Sequence, residues 1–388
     1  MILAFEVKFL NFILLALTLN IALSCSKNST PLVPDRGTGS VVIDWGKTAD
    51  SIQDATYITY LGTNGTFNQD NQGNTTFNYW PNAHVLNILT DAYLRTNKAS
   101  YFPKMINLLH GIKSKNGDTF SIVYNDDMLW LANACIRAYN ATGNEQYKQT
   151  AEFLWNDVIL SYSDVFGGGI TWKKDTPKLK NAVSNAPAII LAVNLYKLTN
   201  NNEYLEWAKS LYEWQKANLV DPTNGHVWDH ITEVDGKLFI KKDWIFTYNM
   251  GTWIGSGLEL YNVTKDQSYL NDALKSARTS LSSHELTSEG VLRDEGQGDG
   301  GLFKGIFIRY LTQFALEPEL SETDRKNFIA FIKFNAETFY KKGLKRPEML
   351  AGSDWKKLPP ERTDLTTQLS GVMLIEALAT LEKKKLID

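Results

Sequence analysis

The chain of 388 residues is long enough to bury a large core, and its 40 lysines and arginines nearly balance its 43 aspartates and glutamates, for a net charge of −3. This balance gives no electrostatic footprint for nucleic acid or for an anionic membrane, so neither is an expected partner. Aromatic residues make up 12% of the chain, and many tryptophans fall in predicted loops or at predicted helix ends, where a sugar-stacking cleft would need them.

The first 24 residues have the pattern of a secretory signal, with Lys8 ahead of an apolar run over residues 9–23. The run is too short for a membrane-spanning helix. It ends in Leu23-Ser24-Cys25, which resembles a bacterial lipoprotein signal in which the cysteine becomes the lipidated N-terminus. We therefore expect residues 1–24 to be a lipoprotein signal peptide. The protein would be anchored in the bacterial cell envelope at Cys25, facing the periplasm or the outer surface.

The residues after Cys25 are polar and contain Pro31, Pro34 and glycines at 37 and 39. This composition is typical of a flexible tether. We expect a tether over residues 25–48 and one folded domain over residues 49–388.

A Tyr-x-x-Thr pattern, with a second tyrosine eight residues after the first, occurs four times in the chain, beginning at Tyr93, Tyr139, Tyr196 and Tyr261. The segment between the threonine and the second tyrosine is short and polar each time, as a tight turn between helices requires. The repeat therefore predicts a helical hairpin.

The remaining pattern completes twelve helical segments, with ends defined to about two to four residues. The segments are 42–62, 79–97, 98–114, 126–143, 144–163, 181–199, 200–219, 248–265, 266–286, 299–315, 319–342 and 363–385. Residues 237–240 are compatible with one strand of a small hairpin with residues 225–231. Six helical hairpins predict an all-α fold, a single (α/α)6 barrel.

Two kinds of helix are distinguishable. Segments such as 182–198, 248–260 and 365–381 are apolar or small nearly all round, as in an inner ring, whereas 145–158 and 203–219 carry charge on one face. Short turns follow the inner helices and long loops precede them, so one face of the barrel should collect the long loops and the positive ends of the inner helices. The long loops are 63–78, 115–125, 164–180, 220–247, 287–298 and 343–362.

Asp126 and Asp127 stand where a long loop meets the fourth helical segment, and therefore on the loop face. In a purely structural interpretation, Asp126 is the N-cap and Asp127 complements the helix dipole. In a chemical interpretation, the pair serves glycoside hydrolysis, which needs one ionised carboxylate and one protonated carboxyl beside the scissile bond. Two like charges this close raise one pKa, so adjacent aspartates can hold both states near neutral pH.

Further polar and aromatic residues lie at the mouths of the predicted inner helices. This mixture of neutral hydrogen-bonding groups and carboxylates favours a carbohydrate ligand over an anion or a lipid. Three glycines, 167–169, either let backbone approach a ligand or simply end the preceding helix. The candidate substrate-binding residues are Tyr124, Trp172, Asn181, Asn185, Tyr248, Asn249, Asp294, Asp299 and Lys304.

Cysteine and histidine give no sign of a metal or a cofactor. Cys135 is the only cysteine besides Cys25 and lies in an apolar helical run, which indicates a buried small side chain and excludes a disulfide framework. The five histidines lack ligand spacing, and the pair His226 and His230 falls in a predicted loop. We expect neither a metal nor a cofactor.

Five motifs in order along residues 50–388 resemble the glycoside hydrolase family 76 α-1,6-mannanases. They are Asp126-Asp127 before a Trp-containing helix, Gly-Gly-Gly-Ile-Thr-Trp at 167–172, Lys-Asn-Ala-Val-Ser-Asn-Ala-Pro-Ala at 180–188, Phe-Thr-Tyr-Asn-Met-Gly at 246–251, and the segment 299–309 that begins Asp-Gly-Gly-Leu-Phe-Lys-Gly.

The resemblance implies an (α/α)6 fold and retaining hydrolysis of α-1,6-linked mannan, with Asp126 as the nucleophile and Asp127 as the acid/base. The family often has two aromatics before the pair, whereas this chain has Tyr124-Asn125. We expect a monomeric, endo-acting hydrolase of α-mannan-type polysaccharide or oligosaccharide. The alternatives are a glycan-binding relative without catalysis and a transglycosylase.

Overall fold

The computed structural model describes residues 43–387. This part of the chain contains twelve α-helices, and the predicted all-α class is confirmed. The helices are α1 Trp45–Tyr60, α2 Tyr79–Thr96, α3 Tyr101–Lys115, α4 Asn125–Thr142, α5 Glu145–Val158, α6 Ala182–Thr199, α7 Asn202–Leu219, α8 Thr247–Thr264, α9 Gln267–Ser282, α10 Gly300–Ala315, α11 Glu322–Thr338 and α12 Leu365–Lys383. Among the helices of residues 43–387, none combines the length and apolar character needed to cross a membrane.

The predicted signal peptide, residues 1–24, and residues 25–42 of the predicted tether lie outside the described residues. For residues 45–48 the tether prediction is wrong, because they form the first turn of α1. The side chain of Asp44 accepts a hydrogen bond from the Lys47 backbone N–H at 2.8 Å and caps this helix. Trp45 is buried directly after the cap, so the folded domain begins earlier than predicted.

Seven short strands lie in the long loops. They are β1 Leu179–Asn181, β2 His230–Val234, β3 Lys237–Ile240, β4 Thr287–Ser288, β5 Val291–Leu292, β6 Leu344–Lys345 and β7 Leu350–Ala351. Strands β1, β2 and β3 form a three-stranded antiparallel sheet.

The hairpin predicted for residues 237–240 is present, but its partner strand lies closer in sequence than predicted. Strand β3 pairs with β2, His230–Val234, which shares only residues 230 and 231 with the predicted segment 225–231. The turn is Asp235-Gly236, and both residues have positive φ, 52° and 72°. An Asp-Gly pair of this kind is a strong signal for a two-residue hairpin turn and fixes the observed register.

The six inner helices form a closed ring. Helices α2, α4, α6, α8, α10 and α12 each contact the next, and α12 contacts α2. Helices α3, α5, α7, α9 and α11 each pack on the inner helix before them, and α1 packs on α12. The sixth hairpin is thus made by the first and last helices, where the Glu382 carboxylate accepts the backbone N–H groups of Trp45 and Gly46 at 3.3 and 3.1 Å. The predicted (α/α)6 barrel is confirmed.

The tyrosine repeat marks the short turns, at the end of the barrel opposite the long loops. In each of the four repeats the inner helix ends at a residue with left-handed backbone, whose N–H bonds to the carbonyl of the first tyrosine. These end residues are Asn97, Gly143, Asn200 and Lys265. The threonine hydroxyl bonds back to the carbonyl four residues earlier each time.

Close packing of the inner ring uses glycine at several contacts. A Cβ on Gly251 of α8 would lie 2.7 Å from the Phe307 Cα of α10, and one on Gly305 would lie 2.7 Å from the Ser370 Cα of α12. The backbones approach too closely for a larger residue, so these positions set the spacing of adjacent helices. Cys135 is fully buried in α4, as predicted.

A largely buried ion cluster joins the inner helices near their C-terminal ends. Asp91 of α2 accepts hydrogen bonds from Arg137 of α4 at 2.5 Å and from Arg309 of α10 at 2.6 Å. Nearby, Arg95 pairs with Glu376 of α12 at 2.8 Å. Burial alone would raise the pKa of Asp91, but the two guanidinium groups outweigh it and lower this pKa to about 2.

Replacing Asp91 by Asn should destabilise the barrel strongly, by about 3–5 kcal/mol, because two buried guanidinium groups lose their counter-charge. Urea unfolding at pH 7 measures this. The control is Lys326→Ala in an exposed pair with Glu322, their side chains 74% and 75% exposed, which should change stability by less than about 1 kcal/mol.

The Asp91 contribution should also depend on pH. Its folded pKa is depressed, so the stabilisation is complete above the unfolded pKa near 4 and is lost as the pH falls towards 2. The gap in stability between wild type and Asp91→Asn should narrow over that interval. A gap that stayed constant from pH 6 to pH 2 would contradict the assignment.

Candidate active site

A cleft of about 650 Å³ opens on the loop face of the barrel, where the N-terminal ends of the inner helices meet. Four of the six inner helices, α2, α4, α8 and α10, contribute residues of their first two turns to its lining, and Asn181, the N-cap of α6, is added from a fifth. The lining residues are Asn78, Trp80, Tyr124, Asp126, Asp127, Trp130, Trp172, Leu179, Asn181, Asp229, His230, Trp244, Phe246, Tyr248, Asp299 and Phe303.

The start of α4 carries the aspartate pair into this cleft. The helix begins at Asn125 and its N-cap is Tyr124, so the prediction of Asp126 as N-cap is wrong by two positions. Asn125 is fully buried and holds a loop against the helix start: its N–H donates to the Trp172 carbonyl at 2.9 Å and its side-chain amide donates to the Thr171 carbonyl at 2.9 Å. Both aspartates therefore lie in the first turn, near the positive end of the helix dipole.

The two carboxyl groups have different surroundings. Asp126 accepts the Trp172 indole N–H at 3.1 Å and the Asp127 backbone N–H at 3.0 Å. For the side chain of Asp127 the structure gives no hydrogen-bond donor among residues 43–387. Asp126 is therefore held in place by two donors, whereas Asp127 is free to reach a ligand in the cleft.

This difference affects the pKa values of the two carboxyl groups. Burial raises the pKa of Asp126, and the two donated hydrogen bonds oppose that rise by stabilising its ionised form. Burial also raises the pKa of Asp127, and the nearby charges of Asp126 and Asp299 raise it further. The hydrogen bonds therefore favour Asp126 as the ionised member of the pair and Asp127 as the member that keeps the proton.

Aromatic rings form two sides of the cleft. On one side the rings of Tyr124 and Trp172 lie 5.3 Å apart. On another the Tyr248 and Phe303 rings stack at 3.8 Å with an angle of 4° between their planes, and Phe246 packs against Phe303 at 5.4 Å. Flat apolar surfaces flanking carboxyl groups are suited to the apolar faces of sugar rings.

Two further carboxylates face the cleft, and each is fixed by donors. The Trp80 indole donates to Asp299 at 3.0 Å. Asp229 lies 2.8 Å from the His230 Nδ1 and accepts from the Asn249 side-chain amide at 3.1 Å. Such fixed acceptors can orient hydroxyl groups of a bound sugar without taking part in bond cleavage.

Of the residues singled out in the sequence, the structure brings seven together in the cleft lining: Tyr124, Asp126, Asp127, Trp172, Asn181, Tyr248 and Asp299. Trp172 serves the site through its hydrogen bond to Asp126. That contact was not foreseen, because the sequence suggested a stacking plane. Contact of these side chains with substrate stays a prediction.

Four predicted substrate-binding residues lie outside the cleft lining. The buried amide of Asn185 bonds to the backbone of Ile170, and Lys304 is buried with its ammonium donating to the Ser353 carbonyl and standing 4.5 Å from the Trp355 ring centre. Asn249 is buried behind Asp229. Asp294 is exposed and accepts from the Gly296 N–H. Buried loop backbone needs polar partners, and the first two residues supply them.

Packing explains two of the three glycines at 167–169. A Cβ on Gly168 or Gly169 would lie 3.0 or 2.7 Å from the indole of Trp214 on α7, and neither glycine lines the cleft. The same loop is held from below by Lys180, which is fully buried and whose ammonium donates to the carbonyls of Ser163, Val165 and Gly168 at 2.5–2.6 Å. The loop that carries Trp172 is thereby fixed.

Sequence reasoning missed several lining residues. Trp80 lies in the first turn of α2, and its place in the cleft could have been predicted from the rule that inner-helix N-termini face the loops. Asp229, His230 and Trp244 come from the long loop before α8, in which histidine was considered only as a metal ligand. The other missed residues are Asn78, Trp130, Leu179, Phe246 and Phe303.

Comparison with known proteins places this architecture in a family. The model of glycosyl hydrolase family 76 matches residues 44–388. The GH76A α-1,6-mannanase of Salegentibacter sp. HEL1_6 has a similar structure, with 53% identity, a TM-score of 0.86, and coverage of 87% of this chain and 100% of that one. An inactive variant of that enzyme, with two consecutive aspartates replaced by asparagine, was solved with α-1,6-mannotriose and has the same identity and coverage.

A curated fungal relative, the mannan endo-1,6-α-mannosidase of Candida glabrata, is 23% identical over 317 residues, which are 74% of this chain and 70% of the relative. The match to the family model covers the whole barrel and confirms the resemblance seen in the sequence motifs. The chain therefore belongs to glycosyl hydrolase family 76 and is a glycoside hydrolase.

Proposed function

We propose that this protein hydrolyses α-1,6-mannosidic bonds within mannan chains and that it retains the anomeric configuration. The observation that carries the proposal is the pair of consecutive aspartates at the start of α4, whose carboxyl groups share the cleft but differ in hydrogen bonding. The α-1,6-mannanase from Salegentibacter and the fungal endo-1,6-α-mannosidase support this choice of linkage and of internal cleavage.

In the proposed mechanism, the Asp126 carboxylate attacks the anomeric carbon while Asp127 donates its proton to the glycosidic oxygen. The bond to the leaving sugar breaks and a mannosyl ester forms on Asp126. Asp127, now ionised, removes a proton from water, and the water oxygen attacks the same carbon and releases Asp126. The Trp172 indole keeps Asp126 ionised and oriented for the first step, and it stabilises the carboxylate that leaves in the second step.

The wild-type protein should release oligosaccharides of several lengths from α-1,6-mannan at early times. Size analysis of the products, with a mannan of different linkage as control, measures this. Intact polymer despite measurable binding would indicate a glycan-binding protein without catalysis. Products longer than the added oligosaccharide would indicate a transglycosylase, in which a sugar hydroxyl replaces water.

The two aspartates should differ in how their variants are rescued. With Asp127→Ala, an aryl α-mannoside that needs no protonation should still form the mannosyl enzyme, and added azide should restore turnover and give the α-mannosyl azide. With Asp126→Ala, no mannosyl enzyme forms, and any azide product should be the β-anomer. The opposite pattern of products would exchange the two roles.

Trp172→Phe should move the acidic limb of the kcat/KM profile to higher pH by about one unit or more, because the ionised Asp126 loses a hydrogen bond. The limb reports the ionisation of the nucleophile in the free enzyme. The control Trp244→Phe alters another cleft tryptophan without contact to the pair, and its acidic limb should stay in place. If both variants changed only KM, Trp172 would be a stacking residue.

We propose in addition that the protein is anchored to the cell envelope by lipid at Cys25, on the strength of the apolar run at 9–23 and the Leu-Ser-Cys sequence that ends it. Cys25→Ala should release the protein from the membrane fraction after cell breakage. Metabolic labelling with a fatty acid supplies the second readout. Equal membrane association of variant and wild type, without label in either, would exclude the anchor.

A further inference from the structure

One side of the three-stranded sheet β1–β2–β3 continues the lining of the cleft. Residues paired across antiparallel strands point to the same side, and so do alternate residues along one strand. Asn181 pairs with His230, and both line the cleft. Leu179, which also lines the cleft, pairs with Thr232, and Thr232 pairs with Phe239, so these residues lie on that same side.

The other side of the sheet is buried against the protein near the cleft and carries an ion pair farther from it. Ile231 and Lys180, which pair across β1 and β2, are fully buried. Farther along, Lys178 reaches Glu233 at 2.7 Å. Buried and cleft-facing residues thus alternate along the strands. Only the side that carries His230 and Phe239 is continuous with the cleft lining.

The outer part of this side is exposed and carries the apolar side chains of Phe239 and Val234, with Lys237 paired opposite Val234. Phe239 is 43% exposed and Val234 is 50% exposed, although both belong to a paired strand. Trp244, which lines the cleft, is 46% exposed and lies 6.0 Å from the His230 ring. The sheet side therefore continues from the cleft lining past Thr232 to the exposed ring of Phe239 on the edge strand.

The length of this surface is set by the strand spacing. Strands lie about 4.8 Å apart, so the row from Leu179 on β1 to Phe239 on β3 spans roughly 10 Å beyond the cleft lining. This span accommodates more than one sugar residue. A polymer bound across the catalytic pair has to leave the cleft, and this side of the sheet is continuous with the lining.

We propose that the sheet side formed by Thr232 and Phe239, next to Leu179 of the cleft lining, is a distal glycan-binding surface that holds the part of a mannan chain leaving the cleft. The proposal rests on the proposed function. Phe239 would stack on the apolar face of one sugar ring, and its burial by the ligand would favour long chains over short ones. The surface carries no carboxylate in this row, so it takes a neutral glycan and contributes binding without chemistry.

The test compares Phe239→Ala with Leu238→Ala. Leu238 is the next residue of the same strand, points to the opposite side, and is 58% exposed. Phe239→Ala should lower kcat/KM for α-1,6-mannan by about tenfold, as expected when part of an aromatic ring is no longer covered on binding. With an aryl α-mannoside, Phe239→Ala should have the kcat/KM of the wild type. Leu238→Ala should have the kcat/KM of the wild type on both substrates. Phe239→Tyr keeps the ring and should retain activity on mannan.

Thermal unfolding of each variant checks that the sheet is intact. Equal kcat/KM of Phe239→Ala and wild type on mannan would contradict the proposed binding surface. An equal loss of kcat/KM in Leu238→Ala would contradict it as well. A loss on the aryl mannoside as large as the loss on mannan would also overturn it, because the defect would then lie at the catalytic pair. A wild type inactive on mannan, but active on another polymer, would instead refute the proposed substrate.

Discussion

The mutual burial of six inner helices is the constraint on which the rest of this molecule depends. Each inner helix contacts two others around a closed ring and is joined by a tight turn to the outer helix that follows it, so each crossing from an outer helix to the next inner helix lies at the opposite end of the barrel. All long loops are displaced to the other end, where the helix N-termini also lie. The cleft is therefore a consequence of the packing, and its floor is made of side chains such as Trp130 and Trp80 that belong to the inner helices themselves.

Within that cleft, the proposed chemistry depends on giving the two adjacent aspartate side chains different hydrogen-bonding surroundings. A helix start alone treats them alike, since both aspartates lie in the first turn. The distinction comes from a separate loop, which places an indole N–H on one carboxylate and leaves the other open to the cleft. That loop is held by groups buried beneath it, Lys180 and Asn185, whose polar atoms satisfy loop carbonyls and amides. These two residues support the site without lining the place where a ligand binds.

The sequence was informative wherever local periodicity dictated structure. The tyrosine repeat identified the hairpin turns, because each turn needs a left-handed residue bonded back to the first tyrosine, and the position of Asp126-Asp127 followed from counting helices. It was misleading where tertiary contacts decided the role of a residue. Lys304 and Asn249 stand beside helix starts like true cleft residues, yet both are turned into the protein. Asp229 and Trp244 reach the cleft only because their loop folds back as a sheet, which no helical pattern reports.

Helix α1 packs on α12, and the Glu382 carboxylate of α12 accepts hydrogen bonds from the first turn of α1. This contact closes the ring of helical hairpins. The end of α12 and the start of α1 are then placed like the two sides of a short turn in the other five hairpins, where an inner helix ends and its outer partner begins. A circularly permuted chain, with the present ends of the domain joined and new ends opened at the turn after α2 or α6, would keep every contact of the inner ring. Its catalytic cleft would lie at the far end of the barrel from the new ends. The order in which the hairpins are synthesised is therefore separable from the architecture that they build.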